Sequence, residues 1–407
     1  MKIGYIVQQF YPTAYGSGVH AFELVKELAE LGHEIHVITK GEPSQKRDEV
    51  FKGIHVHRVL NFLQTPYYFP FNSGLLWRYG KKIIRKLNFD ILLGHGFESS
   101  LFFKMNKKLP FIYKAAGTIE LQKARKFVTW RDIFGKIYFP LLGRLEKTAL
   151  THADRVIAIS NTIKHELISI YNVPKEKIFK IYNGVDANRF HPSHNYEALQ
   201  SKLGVNSNRI ILFVGRMSPI KGPHILLQAI PSIIEHFPEC IFLFLGDGPL
   251  LPYLRYMARK LRVMPHVKFL GFTSNAEIPK YFTMANLCVI PSLYEPFGLV
   301  ALESLASGTP ILSSVQGGLA EIHDNLKDFP KISPLTPKFL AKQLNSLLSQ
   351  PNKLKTLARM GREIVSQKFT WSRCASQTDS LLQLAMKKKK KIKGIWPSQS
   401  NPKVRLP

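Results

Sequence analysis

The chain alternates short apolar runs with longer segments whose apolar residues recur every three or four positions. The runs predict strands at 2–7, 35–39, 54–58, 90–94, 111–115, 155–160 and 178–182, then at 210–214, 241–245, 267–270 and 287–290. The periodic segments predict amphipathic helices, for example Phe22, Leu24, Val25, Leu28 and Leu31 before a stop at Gly32, and His224 to His236. Most runs are apolar throughout rather than alternating, as expected for strands covered on both faces, and glycine follows many of them. Strand, glycine and helix in succession is the rhythm of βαβ units and parallel sheets.

At 407 residues, 45% of them apolar, the chain exceeds one ordinary core and predicts two domains of about 200 residues each. Polar residues 193–208 mark a boundary. Cys240, Cys288 and Cys374 are scattered within or beside apolar stretches, which implies reduced thiols, a reducing compartment and no metal spacing. The start, Met-Lys-Ile-Gly-Tyr-Ile-Val, is too short an apolar run for a signal sequence, and no run reaches the roughly 18 apolar residues that span a bilayer. The expectation is a cytoplasmic protein, with a peripheral place on the inner face of a membrane as a candidate.

A formal charge of +29, from 57 Lys plus Arg against 28 Asp plus Glu, favours polyanionic partners: phosphorylated small molecules, anionic membrane or nucleic acid. Tyr67, Tyr68, Phe69, Phe71, Trp77 and Tyr79 interleave with Arg78, Lys81, Lys82, Arg85 and Lys86, and a similar mixture spans Lys123 to Phe139. Such segments suit a membrane interface, single-stranded nucleic acid, or a solvated helix face whose rings belong to the core. Lys387 to Lys391, with Lys393 and Trp396, is either solvated or a polybasic contact for an anionic leaflet.

Two places carry phosphate chemistry. Gly16-x-Gly18 enters a helix after the first strand, and is either an ordinary tight turn or a loop that brings N–H groups to a phosphate. Gly215-Arg216, with Lys221 six residues beyond Gly215, stands between a strand and a helix. Arginine binds phosphate oxygens bidentately, lysine adds a point charge and the helix start adds partial positive charge. A third place carries carboxylates: Glu295-Pro-Phe-Gly-Leu leads from strand 287–290 through a turn into a helix that bears Glu303, followed by Ser307-Gly-Thr-Pro. Both acids then line the crevice beyond a strand's carboxyl end.

Glu295 and Glu303 with this wording between and after them resemble the E-x7-E signature of the retaining glycosyltransferases of family 4, and the resemblance spans residues 2 to about 386. It implies an α/β protein of GT-B fold, with two doubly wound Rossmann-like parallel-sheet domains facing across a cleft. The implied division is an acceptor-side domain at 1–185, a connector at 186–208, a nucleotide-sugar-binding domain at 209–368, a helix at 369–386 returning to the first domain, and a disordered basic tail at 387–407. The implied reaction is transfer of a sugar from a nucleotide-diphosphate sugar to a glycan, lipid-linked or other hydroxyl acceptor, with retention and without a metal or cofactor. Arg216, Lys221 and Glu295 would serve the reaction. Gly16, Gly18, Glu303, Gly318 and the N–H groups of Phe297, Gly298 and Leu299 would hold substrate. The family's histidine before the glycine of the 111–115 strand end is replaced by Ala116, for which His95 and Glu120 are nearby candidates. The alternative reading of Ala116 is a nucleotide-sugar-binding module with impaired catalysis. Intact phosphate and sugar motifs argue against nucleic acid as the main partner.

Overall fold

The computed structural model describes residues 1–11, 17–42, 44–60, 69–105, 109–118, 132–205, 207–326 and 328–395; at 17, 60, 69–73, 132–139 and 388–395 it describes the backbone alone. Gly16, Tyr67, Tyr68, Glu120, residues 123–131 and residues 396–407 lie outside this description. The chain divides into two compact units. The first holds Met1–Ile157, Leu167–Phe179 and Ala375–Pro407, and the second Ala158–Glu166 and Lys180–Cys374.

The first unit is built on β1 (Lys2–Ile6), α1 (Ser17–Glu30), β2 (Glu34–Gly41), β3 (Asp48–Phe51), β4 (Ile54–Leu60), α2 (Phe69–Leu87), β5 (Ile91–His95), a 3-10 stretch Phe97–Met105, β6 (Phe111–Ala115) and α3 (Asp132–His152). Next come β7 (Arg155–Ala158) and β8 (Ile178–Lys180), which complete an eight-stranded sheet in the order β3-β4-β2-β1-β5-β6-β7-β8; α4 (Asn161–Ser169), between them in the chain, falls mostly in the second unit. From β4 through β6 neighbouring strands run parallel, and β3 is antiparallel to β4. The order reverses direction between β1 and β5. Ile3, Tyr5, Leu92, Leu93, Phe111 and Ile112 are fully buried because helices cover both sheet faces. Burying each such side chain contributes about 1.5–3 kcal/mol.

The second unit contains α5 (Glu197–Leu203), β9 (Ile210–Val214), α6 (Pro223–Ile234), β10 (Ile241–Leu245), α7 (Leu251–Lys260), β11 (Val267–Gly271), α8 (Ile278–Met284), β12 (Leu287–Ile290), α9 (Leu299–Ala306), β13 (Ile311–Ser314), α10 (Gly318–Asn325), β14 (Lys331–Ile332), α11 (Pro337–Leu348) and α12 (Pro351–Lys368). Its six strands pair in the order β11-β10-β9-β12-β13-β14, all in parallel. Counted along the unit this is 3-2-1-4-5-6, the doubly wound order whose ligand crevice opens where strands 1 and 4 part. Here those strands are β9 and β12, and the phosphate and carboxylate motifs of the sequence follow them directly.

The last helix, α13 (Trp371–Ile395), corrects the expected end of the chain. Residues 387–395 continue the helix rather than begin a disordered tail. Lysine has good helix propensity, and no proline interrupts the run before Pro397. From Ala375 the helix belongs to the first unit, where Thr378, Leu381, Leu382 and Ala385 are buried and Asp379 accepts from His33 at 2.9 Å.

Because Leu382 is fully buried, Leu382→Ala is expected to cost about 2–5 kcal/mol. Hydrogen exchange should report the loss in the amides of the first unit; equal loss in both units, or none, would contradict the assignment of the helix.

Candidate active site

The loop after β9 is the first half of the site. Gly215 and Arg216 follow the strand, Arg216 exposed to solvent, and a single 3-10 turn, Pro219–Lys221, delivers Lys221 to the start of α6. Met217 N–H donates to the Asp247 carbonyl at 2.9 Å and Leu250 N–H to the Met217 carbonyl at 2.9 Å, which fastens this loop to the one after β10. The second half follows β12, where Leu293 N–H donates to the Ile220 carbonyl at 2.9 Å. Across this joint the Lys221 ammonium donates to Glu295 Oε2 at 2.6 Å. Two residues 74 positions apart are thus brought into an ion pair at the point where the strand order reverses.

Two glycines make the approach feasible. Gly222, at φ 69°, packs so closely on the Pro291 carbonyl that a Cβ would overlap it, and Gly317, at φ 65°, does the same against the Glu295 carbonyl. Gly318 N–H then donates to that carbonyl at 2.8 Å. Three helices consequently start beside the 291–298 segment: α6 after Gly222, α9 after Gly298 and α10 after Gly317, none with a side-chain cap. The first N–H groups of a helix have no intrahelical partner and carry partial positive charge. Lys221 adds a full charge among these starts, so the arrangement is suited to an anion with several oxygens.

Phe297 is buried and stacks against Tyr182 at 5.7 Å between ring centroids, which fixes the turn preceding Gly298 and Leu299. Glu303 sits partly buried in the second turn of α9, and its charge adds to the burial that pushes the Cys288 thiol up to about 12. All three cysteines are free and buried. Glu295, Phe297, Gly298, Leu299, Glu303, Gly318 and Lys221 therefore gather around the carboxyl end of β12, whereas Arg216 follows the neighbouring β9.

Glu321 joins the site region from just after the Gly317-Gly318 pair. In the first turn of α10 and nearly buried, its carboxylate accepts from the Asn161 N–H at 2.5 Å and the Tyr182 hydroxyl at 2.7 Å, with the Lys180 ammonium at 3.6 Å. Burial, then the hydrogen bond to Glu321, raises the Tyr182 phenol above its ordinary range. The available signal was an acid just after the Gly317-Gly318 pair, but its partners are 139 and 160 positions away.

In the first unit, His95 closes β5 and Lys114 lies within β6, both buried. His95 is a strand-end residue rather than part of a loose loop: its Nδ1 pairs with the Tyr5 hydroxyl at 2.6 Å, and among the described residues Nε2 has no hydrogen-bond partner. Burial, then the Lys114 and His20 charges, keeps the imidazole well below its ordinary pKa and hence neutral. Beyond it burial pushes the Glu98 carboxyl up to about 7, with Glu146 adding and Lys40 opposing. Glu146 itself accepts from Tyr113 at 3.1 Å and Tyr171 at 2.5 Å. Ala116 follows β6 half-buried, and Gly18 is buried in the first turn of α1.

A family profile described as "Glycosyl transferases group 1" matches residues 195–364, and one described as "Glycosyltransferase Family 4" matches 14–189. An uncharacterised glycosyltransferase of Methanocaldococcus jannaschii is 28% identical over 95% of this chain and 99% of its own. Among solved structures, sucrose-phosphate synthase from Thermosynechococcus elongatus superposes with a TM-score of 0.81 at 21% identity, covering 95% of this chain and 99% of that one. The Anabaena protein HepE in complex with UDP-glucose gives 0.74 at 22% identity, covering 94% and 99%. The fold is GT-B, with two Rossmann-like parallel-sheet domains.

Gly317→Ala forces a side chain into both a positive φ and the Glu295 carbonyl, and should lower stability by about 1–3 kcal/mol in urea unfolding. Gly74→Ala, in α2 with open space at its Cβ, should leave stability unchanged or higher. Glu98 gives a pH signature. Its folded pKa of about 7 exceeds the usual 4.5, so its contribution is complete below pH 4.5 and is lost as pH rises through 7. Relative to Glu98→Gln, the wild-type urea midpoint should fall across that window; a constant difference from pH 4.5 to 8 would refute the shift.

Proposed function

We propose that this chain is a glycosyltransferase of the group 1 and family 4 type, and that it transfers a sugar from a nucleoside-diphosphate sugar to a hydroxyl of a glycan or lipid-linked acceptor, with retention of configuration. The observation that carries the reading is the Lys221–Glu295 pair set among three uncapped helix starts at the doubly wound switch point. Without donor, the ammonium and carboxylate neutralise each other. A bound diphosphate competes for the ammonium, releasing the carboxylate to accept hydrogen bonds from the donor sugar's hydroxyls. Arg216 extends the cationic side by clamping phosphate oxygens, and Glu303 accepts from the ribose hydroxyls.

As the anomeric C–O bond breaks, negative charge collects on the leaving diphosphate. Lys221, Arg216 and the N–H groups of Phe297, Gly298 and Leu299 then bind the transition state more strongly than the ground state, which is the condition for acceleration. In the front-face route the departing phosphate takes the acceptor's proton. No enzymic nucleophile or metal is needed, and alanine at 116 is compatible with turnover. The acceptor side falls to the first unit, whose strand ends bear neutral His95 and buried Lys114. The outer face of α2, with Arg78, Lys82, Arg85 and Lys86 exposed, suits an acceptor presented at an anionic surface.

A panel of nucleotide sugars that begins with UDP-glucose, offered with glycan and lipid acceptors, should yield nucleoside diphosphate and a product whose anomeric configuration by NMR matches the donor. Glu303→Ala should weaken donor binding by about one to two decades, since a hydrogen bond to a charged group contributes roughly 1.5–3 kcal/mol. Lys221→Ala should lower kcat/KM by about 10²–10³-fold. Release no greater than that of Glu303→Ala would overturn the transferase reading, and donor binding without turnover on any acceptor would indicate a binding module instead.

A further inference from the structure

On the sheet of the first unit, at the opposite end of the strands from His95, β2, β4 and β3 place three imidazoles and two carboxylates side by side. Glu34 and His36 alternate along β2, and His55 and His57 along β4, so each pair projects from one face of the sheet. The parallel register sets His36 opposite His55, and the antiparallel register sets His57 opposite Asp48. The His36 and His55 rings stack 4.5 Å apart, and Phe89 closes the inner edge of His36 at 5.3 Å.

The polar links form a chain. Glu34 Oε1 meets His36 Nε2 at 2.9 Å, His36 Nδ1 meets His57 Nε2 at 2.9 Å, and His57 Nδ1 meets Asp48 Oδ1 at 2.6 Å. Each end is a carboxylate, which only accepts when ionised. A cation can take the place of a proton between Glu34 and His36 and leave the other two links intact. His36 then gives its Nε2 lone pair to the ion, its Nδ1–H donates to His57 Nε2, and the His57 Nδ1–H donates to Asp48.

We propose that Glu34, His36 and His55 bind a divalent transition-metal ion of the zinc class, with His57 and Asp48 as the outer partners that orient His36. Two imidazoles, a carboxylate and a fourth position for water suit this class of ion. One ligand atom from each of the three residues lies within 4.8 Å of the others. Bonds of about 2.0–2.1 Å bring tetrahedral ligand atoms to roughly 3.3–3.5 Å apart, a closure within reach of side-chain rotation. The half-exposed Glu34 carboxylate gives the ion a way in from solvent, while His36 is buried. Lys2 holds the same Glu34 oxygen at 3.0 Å and is the competitor the ion displaces. Bound there, the ion ties β2 to β4, and through His57 and Asp48 to the edge strand β3, remote in sequence from the donor motifs of the second unit.

Isothermal titration of the chelator-treated full chain with zinc sulfate at neutral pH tests the site, with the visible absorption of cobalt(II) as a second readout of tetrahedral coordination. The expected result is one ion per chain, with affinity at least tenfold weaker in Glu34→Gln and in His55→Ala. Asp48→Asn, which touches no ligand of the ion, should weaken it by about ten- to a hundredfold. Circular dichroism and nucleotide release should remain those of the wild type in Glu34→Gln and Asp48→Asn. Absence of stoichiometric uptake by the wild type would overturn the proposal, as would equal uptake by a His36→Ala, His55→Ala double variant.

Discussion

The second unit depends on how closely its backbone can approach itself around residues 291–298. Gly222 against the Pro291 carbonyl and Gly317 against the Glu295 carbonyl leave no room for a Cβ, and both glycines adopt positive φ. The starts of α6 and α10 beside this segment and the reach of Lys221 to Glu295 follow from those contacts. The ion pair results from this backbone packing rather than causing it. Its net contribution to stability is small for a partly exposed pair, because desolvation offsets much of the attraction. Its value lies in keeping a cation and an anion ready at a place where helix starts already favour negative charge.

The two units use burial differently. In the second, ionisable groups at the strand ends are partly exposed and paired, ready to exchange partners with a ligand. In the first, His95 and Lys114 are enclosed, and Glu98 is driven toward its neutral form by burial. Enclosed groups of this kind cost stability unless hydrogen bonded, and Tyr5 supplies such a bond to His95. The formal charge of +29 is therefore not spread evenly in meaning: Lys114 is interior chemistry, whereas the outer face of α2 is solvated charge. Trp77, which the sequence groups with the basic residues of α2, packs edge-on against Phe102 at 5.2 Å and so belongs in part to the core.

Much of the fold was legible because parallel strands buried on both faces write themselves as unbroken apolar runs. Ile210–Val214, Ile241–Leu245 and Leu287–Ile290 are strands over the same residues that the pattern marks. The edges were not legible. Asp48–Phe51 is a short antiparallel strand with exposed positions, and Lys331–Ile332 is two residues long. At the site, Lys221, Glu295 and Glu303 were found because their spacing along the chain is local to one strand-turn-helix each. The partners of Glu321 were not legible because they are distant in sequence, and the Glu34, His36, His55 group was not because strand register, not spacing, assembles it. Residues 387–395 continue α13, where a disordered tail is expected from 387, because lysine has good helix propensity.

The return of α13 to the first unit has a consequence for biosynthesis. About 200 residues of the second unit separate Phe179 from Ala375, where the chain resumes contributing to the first. At roughly 5–20 residues per second, the ribosome needs on the order of 10 to 40 s to deliver that final piece. Through that interval the apolar surface that later receives Leu381, Leu382 and Ala385 stays uncovered, while the second unit emerges with nearly all of its own sequence in hand. The unit translated first is thus the last to be completed, and a nascent chain is exposed to chaperones through its amino-terminal half.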